Sequence, residues 1–473
     1  MSQTITIDPV TRLEGHGKIT IQLNDQGDVE GAQFHVTQVR GFERFVQGRP
    51  FYEMPSLMAR VCGICPVSHL IASAKACEAV MSVRIPHTAA QLRRVLNLAQ
   101  MVQSHALSFF YLASPDLLLG MESDPKQRHI FGVVAAKPEL GRAGVALRRF
   151  GQHIIELLGN KRIHPGWVVP GGVTEPLSAA KRDQILAMIP EAHKNLKMAL
   201  AAYNTISDSF ADEIEVFANF PSNYMSLVND DDSVEFTDGT LRLIDPTGAI
   251  IEDGINAQRY TEIIGEAVEP YSFTKFAYYK PLGYPQGSYR VGPLARLNIA
   301  KSMGTPKADK ALVEFKHLAK GPVQSSFHYH HARLVEMLYG IEKIERILAD
   351  PQILDTHVRA AAGVNRFEGA GISEAPRGVL MHHYKVDENG LITWANLVIA
   401  TGQNNNAMNE GILQAAKHYI KGAKFTEGIL NRVEAVVRTF DPCLSCSTHA
   451  LGQMPLSIEL RSKAGEILAE VHR

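Results

Sequence analysis

The pattern of hydrophobic and polar positions changes near residue 55. Before that point apolar and polar residues alternate in 4–7, 18–23 and 32–36, with turn-forming residues at 24–27. This period predicts antiparallel strands. After residue 55 apolar residues recur at spacings of three and four, which predicts helices over about 66–82, 87–114, 127–159 and 177–218. Because these four segments are long, we expect them to form an antiparallel bundle.

The second half of the chain mixes both periods. Residues 219–300 are rich in Gly, Pro and Tyr, and residues 306–350 have a helical pattern. Other predicted elements are short strands at 233–236 and 241–243, a hairpin of 378–384 with 391–399 around a turn at 387–390, and helices at about 406–421 and 425–438.

These patterns predict an α+β fold that is mainly helical, with small peripheral sheets around a central bundle of long helices. We find neither an internal repeat nor a linker, so residues 1–449 are expected to form one interlocked domain. Its predicted parts are a β region at about 1–54, the bundle at 55–218, a mixed region at 219–300 and an α/β region at 301–449.

Composition and charge exclude several classes of partner. The chain has 473 residues, 45% of them hydrophobic, which is enough for a large core. Lys plus Arg number 48 and Asp plus Glu 49, a balance that argues against nucleic acid or anionic lipid as the main partner. The first residues lack the pattern of a secretory signal, and no apolar run approaches the roughly twenty residues of a membrane span. We therefore expect a cytoplasmic protein without membrane insertion.

Four of the five cysteines stand in two Cys-x-x-Cys pairs. Cys62 and Cys65 are near the start of the chain, while Cys443 and Cys446 lie 381 residues further on. Each pair offers two soft thiolates to one metal ion. Only the finished fold can bring the pairs together, so we expect a metal site buried between the N-terminal and C-terminal motifs.

The identity of the metal stays open on spacing alone. Structural zinc is disfavoured, because zinc pairs are usually separated by roughly 12–20 residues and because this chain has ample core. One iron–sulfur cluster is a second alternative. Only Cys77 remains after the two pairs, so electrons from a redox site must leave through another subunit. Pro66 favours a helix start beside Cys65, which would place His69 one turn further on the same face.

The flanking residues make the motifs more specific. Arg-x-Cys-Gly-x-Cys-x-x-x-His at 60–69 and Asp-Pro-Cys-x-x-Cys-x-x-His at 441–449 resemble the two signatures of the large subunit of nickel–iron hydrogenases. Residues 8–16, 40–43 and 374–378 agree with the same family, in the expected order. Residues 287–298 and 381–384 resemble its cytoplasmic, cofactor-reducing branch, and 103–112 resemble the bidirectional NAD-reducing type.

The resemblance implies a nickel ion held by all four paired cysteines. Cys65 and Cys446 would also bridge to an iron that carries carbon monoxide and two cyanides. Cys443 would accept a proton when dihydrogen is split, and Glu14 would pass it outward. From the residues alone, Glu14 has a second interpretation as an ion-pair partner of Arg12.

Further residues are implied around the diatomic ligands of the iron. Asp441 would lie in the outer shell near the guanidinium of Arg377. Ser104 stands where some relatives carry a second carboxylate, which leaves that part of the site open. The residues implied to lie around the iron ligands are Pro376, Arg377, Ala400 and Thr401.

The resemblance implies two further features at the end of the second motif, a magnesium site and a C-terminal extension. Glu43, His449 and the carbonyl group of Leu397 match a magnesium site of the family. Hydrogenase large subunits are made with a C-terminal extension that an endopeptidase removes after nickel-insertion chaperones have delivered the metal. Cleavage would fall between His449 and Ala450, and the 24 residues 450–473 would be the extension. Their alternating pattern predicts a hairpin, either removable or a permanent edge of the fold.

The family therefore implies the catalytic subunit of a bidirectional hydrogenase linked to NAD. Its partners would be a small iron–sulfur subunit and diaphorase subunits with FMN and further clusters. An enzyme that serves NADP or a deazaflavin is the alternative within the class. A structural four-cysteine zinc protein is an alternative from another class, as is a redox-inert relative in respiratory complex I, although such relatives lack the four cysteines.

Overall fold

The computed structural model of the protein describes residues 3–422, 425–450, 457–462 and 467–472. Its strands are β1 Gln3–Ile7, β2 Gly17–Leu23, β3 Val29–Val36, β4 Val168–Val169, β5 Gly172–Val173, β6 Asn223–Val228, β7 Thr240–Ile244, β8 Ile250–Ile255, β9 Ile264–Val268, β10 Lys275–Tyr279, β11 Tyr289–Arg290, β12 Glu368–Ala375, β13 Gly378–Val386, β14 Ile392–Val398, β15 Ser457–Arg461 and β16 Ile467–His472.

Helices make up most of the regular structure, as the sequence predicts. A π-helix at Leu107–Ala113 continues α4 into α5. The α-helices are α1 Phe42–Phe45, α2 Met54–Met58, α3 Pro66–Met81, α4 His87–Ala106, α5 Ser114–Leu119, α6 Ile130–Ala136, α7 Pro138–Gly159, α8 Ala179–Asp208, α9 Ala211–Val216, α10 Tyr260–Ile263, α11 Pro293–Ile299, α12 Pro306–Lys316, α13 Tyr329–Ala349, α14 Ala400–Gln403, α15 Asn405–Tyr419, α16 Glu427–Phe440 and α17 Leu444–Ser447.

The N-terminal sheet confirms the predicted strands and joins the two ends of the chain. β1, β2 and β3 pair antiparallel in sequence order, and the alternation in β2 buries Ile19 and Ile21. Helix α15, from the C-terminal region, packs on β3. The amide of Phe34 donates to Asn409 Oδ1 at 2.8 Å across this contact. The N-terminal sheet therefore lies against a helix from the C-terminal part of the chain.

The bundle does not consist of the four helices that the sequence predicts. Helices α4, α7, α8 and α13 pack against one another, whereas α3 packs against strands β12 and β13. Helix α3 lies so close to β12 that a Cβ atom at Gly371 would be 2.2 Å from the carbonyl oxygen of Ala72. Glycine at this position therefore lets the first cysteine motif lie against a sheet.

Two predicted helical segments are broken by proline. Residues 127–159 form α6 and α7, because Pro138 excludes Lys137 from helical geometry, at φ −136° and ψ 69°. Residues 306–350 form α12 and α13, separated by residues 317–328, which include Gly321 and Pro322. Within the described residues no helix has both the length and the apolar character needed to cross a bilayer.

The prediction of a strand at 233–236 is wrong. Ser233 and Val234 make only isolated bridges, because Glu235 Oε1 instead accepts the backbone N–H groups of the three residues that follow it. The strand predicted at 241–243 and the hairpin around 387–390 are present as β7 and as β13 with β14. A C-terminal hairpin is also present, since β15 pairs antiparallel with β16.

Candidate metal centre

Each cysteine pair lies at the start of a helix. Cys65 precedes α3, whose first residue is Pro66, and Cys443 precedes α17. The backbone N–H groups of Ile64 and Cys65 both donate to Cys62 Sγ at 3.2 Å. Backbone donors aimed at sulfur favour the thiolate, which is the form that binds metals.

The fold brings the four sulfur atoms into one cluster. Cys62 Sγ lies 3.4 Å from Cys443 Sγ, and Cys65 Sγ lies 3.4 Å from Cys446 Sγ. All four Sγ atoms lie within 4.8 Å of one another, and all four residues are buried. The prediction that the two motifs meet at a buried site is confirmed. Four thiols in this arrangement suit a thiophilic transition metal.

The electrostatics of the cluster call for a cation. Burial raises the pKa of Cys443 and of Cys446, whereas hydrogen bonds from the neighbouring thiols, and one from His69, lower the pKa of Cys65. Several thiolates in a buried site repel one another, so a bound metal ion is needed for all four to lose their protons.

Glu14 contacts the second cysteine pair. Its Oε2 atom lies 3.1 Å from Cys443 Sγ and accepts the N–H of Ser445 at 3.0 Å. The N–H of Leu444 donates to the backbone oxygen of Glu14 at 3.0 Å, so the backbone of Glu14 is fixed as well. The alternative ion pair with Arg12 does not form, because the guanidinium of Arg12 bonds to Asp116.

Asp116 is a site-supporting residue that the sequence did not reveal. Its carboxylate accepts hydrogen bonds from Arg12, from Arg438 at 3.0 Å and from Asn431 at 3.0 Å. Burial alone would raise the pKa of Asp116, but the two arginines lower it. The network joins the segment before Glu14 to α16, which leads into the second cysteine motif. The network therefore fixes the segment that carries Glu14 relative to the second cysteine pair.

Replacing Asp116 by asparagine is expected to destabilise the fold by about 3–5 kcal/mol, because the buried guanidinium of Arg438 and the partly buried one of Arg12 each lose a charged partner. Urea denaturation of wild type and variant measures this difference. Asp208→Asn is the control, since it removes the same charge from an exposed position at the end of α8. Equal stability of the two variants would contradict the supporting role of Asp116. Because the pKa of Asp116 is lowered in the fold, its contribution should also fade as the pH falls through that pKa.

Arg377 and Asp441 form a buried ion pair beside the thiols. Arg377 Nη2 lies 3.1 Å from Asp441 Oδ2, and Arg377 Nε donates to the backbone oxygen of Asp441. Burial would lower the pKa of Arg377, but Asp441 and the nearby thiolates raise it, so the guanidinium is charged. Ser104 Oγ lies 3.5 Å from Arg377 Nη1.

Other residues that the resemblance implies around the iron are also held by hydrogen bonds or by a helix start. Thr401 Oγ1 accepts the N–H of Cys443 at 3.0 Å, and Ala400 begins α14 beside it. The carbonyl oxygen of Pro376 accepts from Arg296 at 3.0 Å, and Arg296 is fully buried between Glu336 and Glu374. Arg296 lies far from both motifs in sequence, and nothing in its local pattern indicated this role.

A second group of polar residues adjoins the cluster. Glu43 Oε1 accepts the N–H of Leu397 at 2.9 Å and the Lys275 ammonium group at 3.0 Å. Burial raises the pKa of Glu43, and Lys275 opposes that shift. The N–H of Glu43 donates to the carbonyl oxygen of His449 at 3.3 Å. His449 Nε2 is buried and has no hydrogen-bond partner within the described residues, so it is free to bind a ligand.

Known proteins share both the sequence and the fold. A family profile described as HoxL-like matches residues 4–39, and one described as nickel-dependent hydrogenase matches 40–127 and 247–449. The NAD-reducing hydrogenase HoxS subunit beta of Cupriavidus necator is 41% identical over 99% of both chains. The crystal structure of an NAD+-reducing NiFe-hydrogenase in the H2-reduced state has a TM-score of 0.92 and 44% identity, covering 94% of this chain and 99% of that one. The Ni-Fe-Se hydrogenase from D. vulgaris Hildenborough shares the fold at 24% identity and a TM-score of 0.77, covering 95% of this chain and 100% of that one.

Proposed function

The chain belongs to the nickel-dependent hydrogenase family, and we propose that it is the catalytic subunit of an enzyme that splits dihydrogen reversibly and sends the electrons to NAD+. One observation carries this proposal. Four buried thiols lie within 4.8 Å of one another, and a carboxylate lies 3.1 Å from one of them. Such a site offers soft ligands for nickel and iron together with a base for the proton of dihydrogen.

The four cysteines are proposed to act as unequal ligands. All four would hold nickel, and Cys65 and Cys446 would also bridge to an iron that carries carbon monoxide and two cyanides. The sulfurs of Cys65 and Cys446 lie 3.4 Å apart, as do those of Cys62 and Cys443, so the distinction between bridging and terminal ligands rests on the resemblance to the family. When bound, such a centre supplies the chemistry that divides dihydrogen into an electron pair and protons. The chain keeps its ligands fixed by placing each pair at a helix start.

We propose that protons leave through Cys443 and Glu14. The sulfur of Cys443 would accept a proton, and the carboxylate of Glu14, at 3.1 Å, would take it onward. That distance is within the reach expected of a general base. The N–H of Ser445 holds the carboxylate oxygen in position. Glu14 is partly exposed whereas Cys443 is buried, so the carboxylate lies between the sulfur and the outside of this chain.

The residues around the iron are proposed to bind its diatomic ligands. The charged guanidinium of Arg377 would donate to one cyanide, and Asp441 would hold that guanidinium in place. Thr401 Oγ1 already accepts from the Cys443 N–H, which leaves its hydroxyl hydrogen for the other cyanide. Pro376 and Ala400 would complete the wall around these ligands.

A magnesium ion is proposed to lie beside Glu43, His449 and the carbonyl group of Leu397. The unpartnered His449 Nε2 and the carboxylate of Glu43 support this assignment. Magnesium usually keeps several waters and takes few protein ligands, so a small ligand set is reasonable. The ammonium group of Lys275 lies 3.0 Å from Glu43 Oε1, so the lysine and the ion would share this carboxylate.

Electrons must leave through a partner. Only Cys77 remains outside the proposed centre, and one cysteine cannot hold an iron–sulfur cluster. We infer a small iron–sulfur subunit bound to this chain, and diaphorase subunits with FMN and further clusters beyond it. Since NAD(H) is the proposed acceptor, we infer a cytoplasmic location.

Purification of the complex formed by this chain tests the proposed acceptor. Under dihydrogen the complex should reduce NAD+ much faster than NADP+ or a deazaflavin, and with NADH it should evolve dihydrogen. Reduction of a viologen dye without reduction of NAD+ would contradict the linkage to NAD. Failure to reduce any acceptor would contradict the hydrogenase assignment itself.

We also propose that an endopeptidase removes residues 450–473 by cleaving between His449 and Ala450 after nickel-insertion chaperones have acted. The proposal is supported by the position of His449 at the end of the second cysteine motif. Mass spectrometry of active enzyme is expected to find a chain that ends at His449. Active enzyme that retains residues 450–473 would contradict this proposal and favour a permanent hairpin.

A further inference from the structure

One face of α3 carries a polar residue on every turn. Cys65, His69, Ser73 and Cys77 follow one another at a spacing of four, and all are buried. Residues at this spacing lie on the same side of a helix. Strand β13, which packs against α3, presents His382 and Tyr384 on one of its faces, since alternate residues of a strand point the same way. A polar seam therefore runs between α3 and β13, starting at a proposed metal ligand.

A chain of hydrogen bonds runs along the seam from His69. This residue lies one turn after Cys65 on the same side of α3, and its Nδ1 lies 3.0 Å from His382 Nε2. His382 Nδ1 lies 2.6 Å from the Tyr384 hydroxyl oxygen, which lies 2.8 Å from Ser73 Oγ. Every one of these side chains belongs to a residue that is at most 3% exposed. Buried polar chains of this kind fix side-chain positions and polarise one another.

The metal-bound end sets the direction of these bonds. A thiolate can only accept, so the nitrogen of His69 that faces Cys65 must donate an N–H. Nδ1 of His69 then accepts from His382 Nε2. Burial lowers the pKa of His382 well below its usual value, so this ring is neutral and its Nδ1 must accept in turn. The Tyr384 hydroxyl bonds to both His382 Nδ1 and Ser73 Oγ, so it is fixed between them.

We propose that Ser73, Tyr384 and His382 are positioning residues that hold an N–H of His69 on the sulfur of Cys65 and so raise the reduction potential of the metal centre. The inference rests on the proposed binding of nickel and iron by the four cysteines. Hydrogen bonds to a ligating sulfur withdraw electron density from the metal and tune its potential. Outer partners that orient a histidine act in the same way at other metal sites.

The seam ends inside the protein, which distinguishes it from a route for protons. Cys77, the next residue on the face, is fully buried, and its thiol donates to the carbonyl oxygen of Phe51 at 3.1 Å. Burial raises the pKa of Cys77 well above its usual value, so the thiol keeps its proton. The chain of hydrogen bonds therefore orients the N–H of His69 and does not lead to solvent.

Tyr384→Phe tests the inference, because it removes the hydroxyl group and keeps the ring. Tyr224→Phe is the matched control, since that buried hydroxyl donates to the carbonyl oxygen of Val323 at 3.1 Å, away from the seam. The holoenzyme complex of each variant is analysed for nickel and iron, and its nickel signals are titrated by electron paramagnetic resonance. Tyr384→Phe should keep both metals and shift the midpoint to a more negative potential. The infrared band of the iron-bound carbon monoxide should also move to lower wavenumber, because the iron becomes richer in electrons.

The result for each variant decides the proposal. Wild-type potentials in a metal-loaded Tyr384→Phe enzyme, or equal shifts in Tyr384→Phe and Tyr224→Phe, would overturn it. If Tyr384→Phe does not fold or load metal, Ser73→Ala replaces it, with a shift expected in the same direction but smaller, and an unchanged potential there would overturn the proposal. Wild-type enzyme without nickel and iron would overturn both the proposed function and this inference. Loaded metals with unchanged potentials would overturn the inference alone.

Discussion

Replacing Glu14 by glutamine should lower hydrogen-dependent turnover by about 10²–10⁴-fold, the usual contribution of a positioned acid–base group. Glutamine keeps the shape of the side chain and can still accept the N–H of Ser445, which now donates to Glu14 Oε2 at 3.0 Å. It cannot take a proton from Cys443 and release it. The loss should therefore fall on turnover, while nickel and iron remain bound.

Glu30→Gln is the control for this experiment, because it makes the same change at an exposed position on β3. Rates of dihydrogen oxidation and metal content are measured for both variants. Near-wild-type turnover in Glu14→Gln would contradict the proposed proton route. A loss of turnover that follows a loss of nickel would assign Glu14 a structural role.

Replacing Cys446 by serine should abolish nickel binding and, with it, activity. The variant loses one of four sulfurs that lie within 4.8 Å of one another, and that sulfur is one of the two proposed to bridge both metals. A serine hydroxyl stays protonated at neutral pH and is a harder ligand, so it does not replace a thiolate on nickel. Metal analysis of the purified variant measures the effect.

Cys77→Ser is the matched control for that loss. Cys77 is also a buried free cysteine, but it lies outside the four-sulfur cluster. Its replacement should leave nickel and iron content unchanged. Equal metal loss in the two variants would contradict the assignment of Cys446 as a ligand, because it would mean that either change acts through folding.

The sequence predicted the parts of the site that depend on local pattern. Pro66 after Cys65 indicated a helix start, and α3 begins there. The alternation around 387–390 indicated the β13–β14 hairpin, which carries Leu397 beside Glu43. The meeting of the two cysteine pairs followed from their ligand chemistry, because neither pair alone can fill a four-coordinate site. The roles of individual ligands and the diatomic groups came from the resemblance to a family, since no physical rule derives them from residue spacing.

The parts that were missed depend on contacts between distant segments. Asp116 is an ordinary acidic residue in sequence, and only the fold surrounds it with Arg12 and Arg438. Helix α13 packs on α4 and α8 in the bundle that was expected to include α3, whereas α3 lies against β12, where glycine allows a close approach. Helical periodicity shows that a face is buried, but it does not show which element covers that face.

Metal analysis of the purified mature enzyme tests the central claim, that the four cysteines hold a nickel–iron centre. The four-thiolate ligand set and the family predict about one nickel and one iron for each chain, with dihydrogen oxidised by the same preparation. Zinc alone, with neither nickel nor iron and with no activity toward dihydrogen, would contradict the claim.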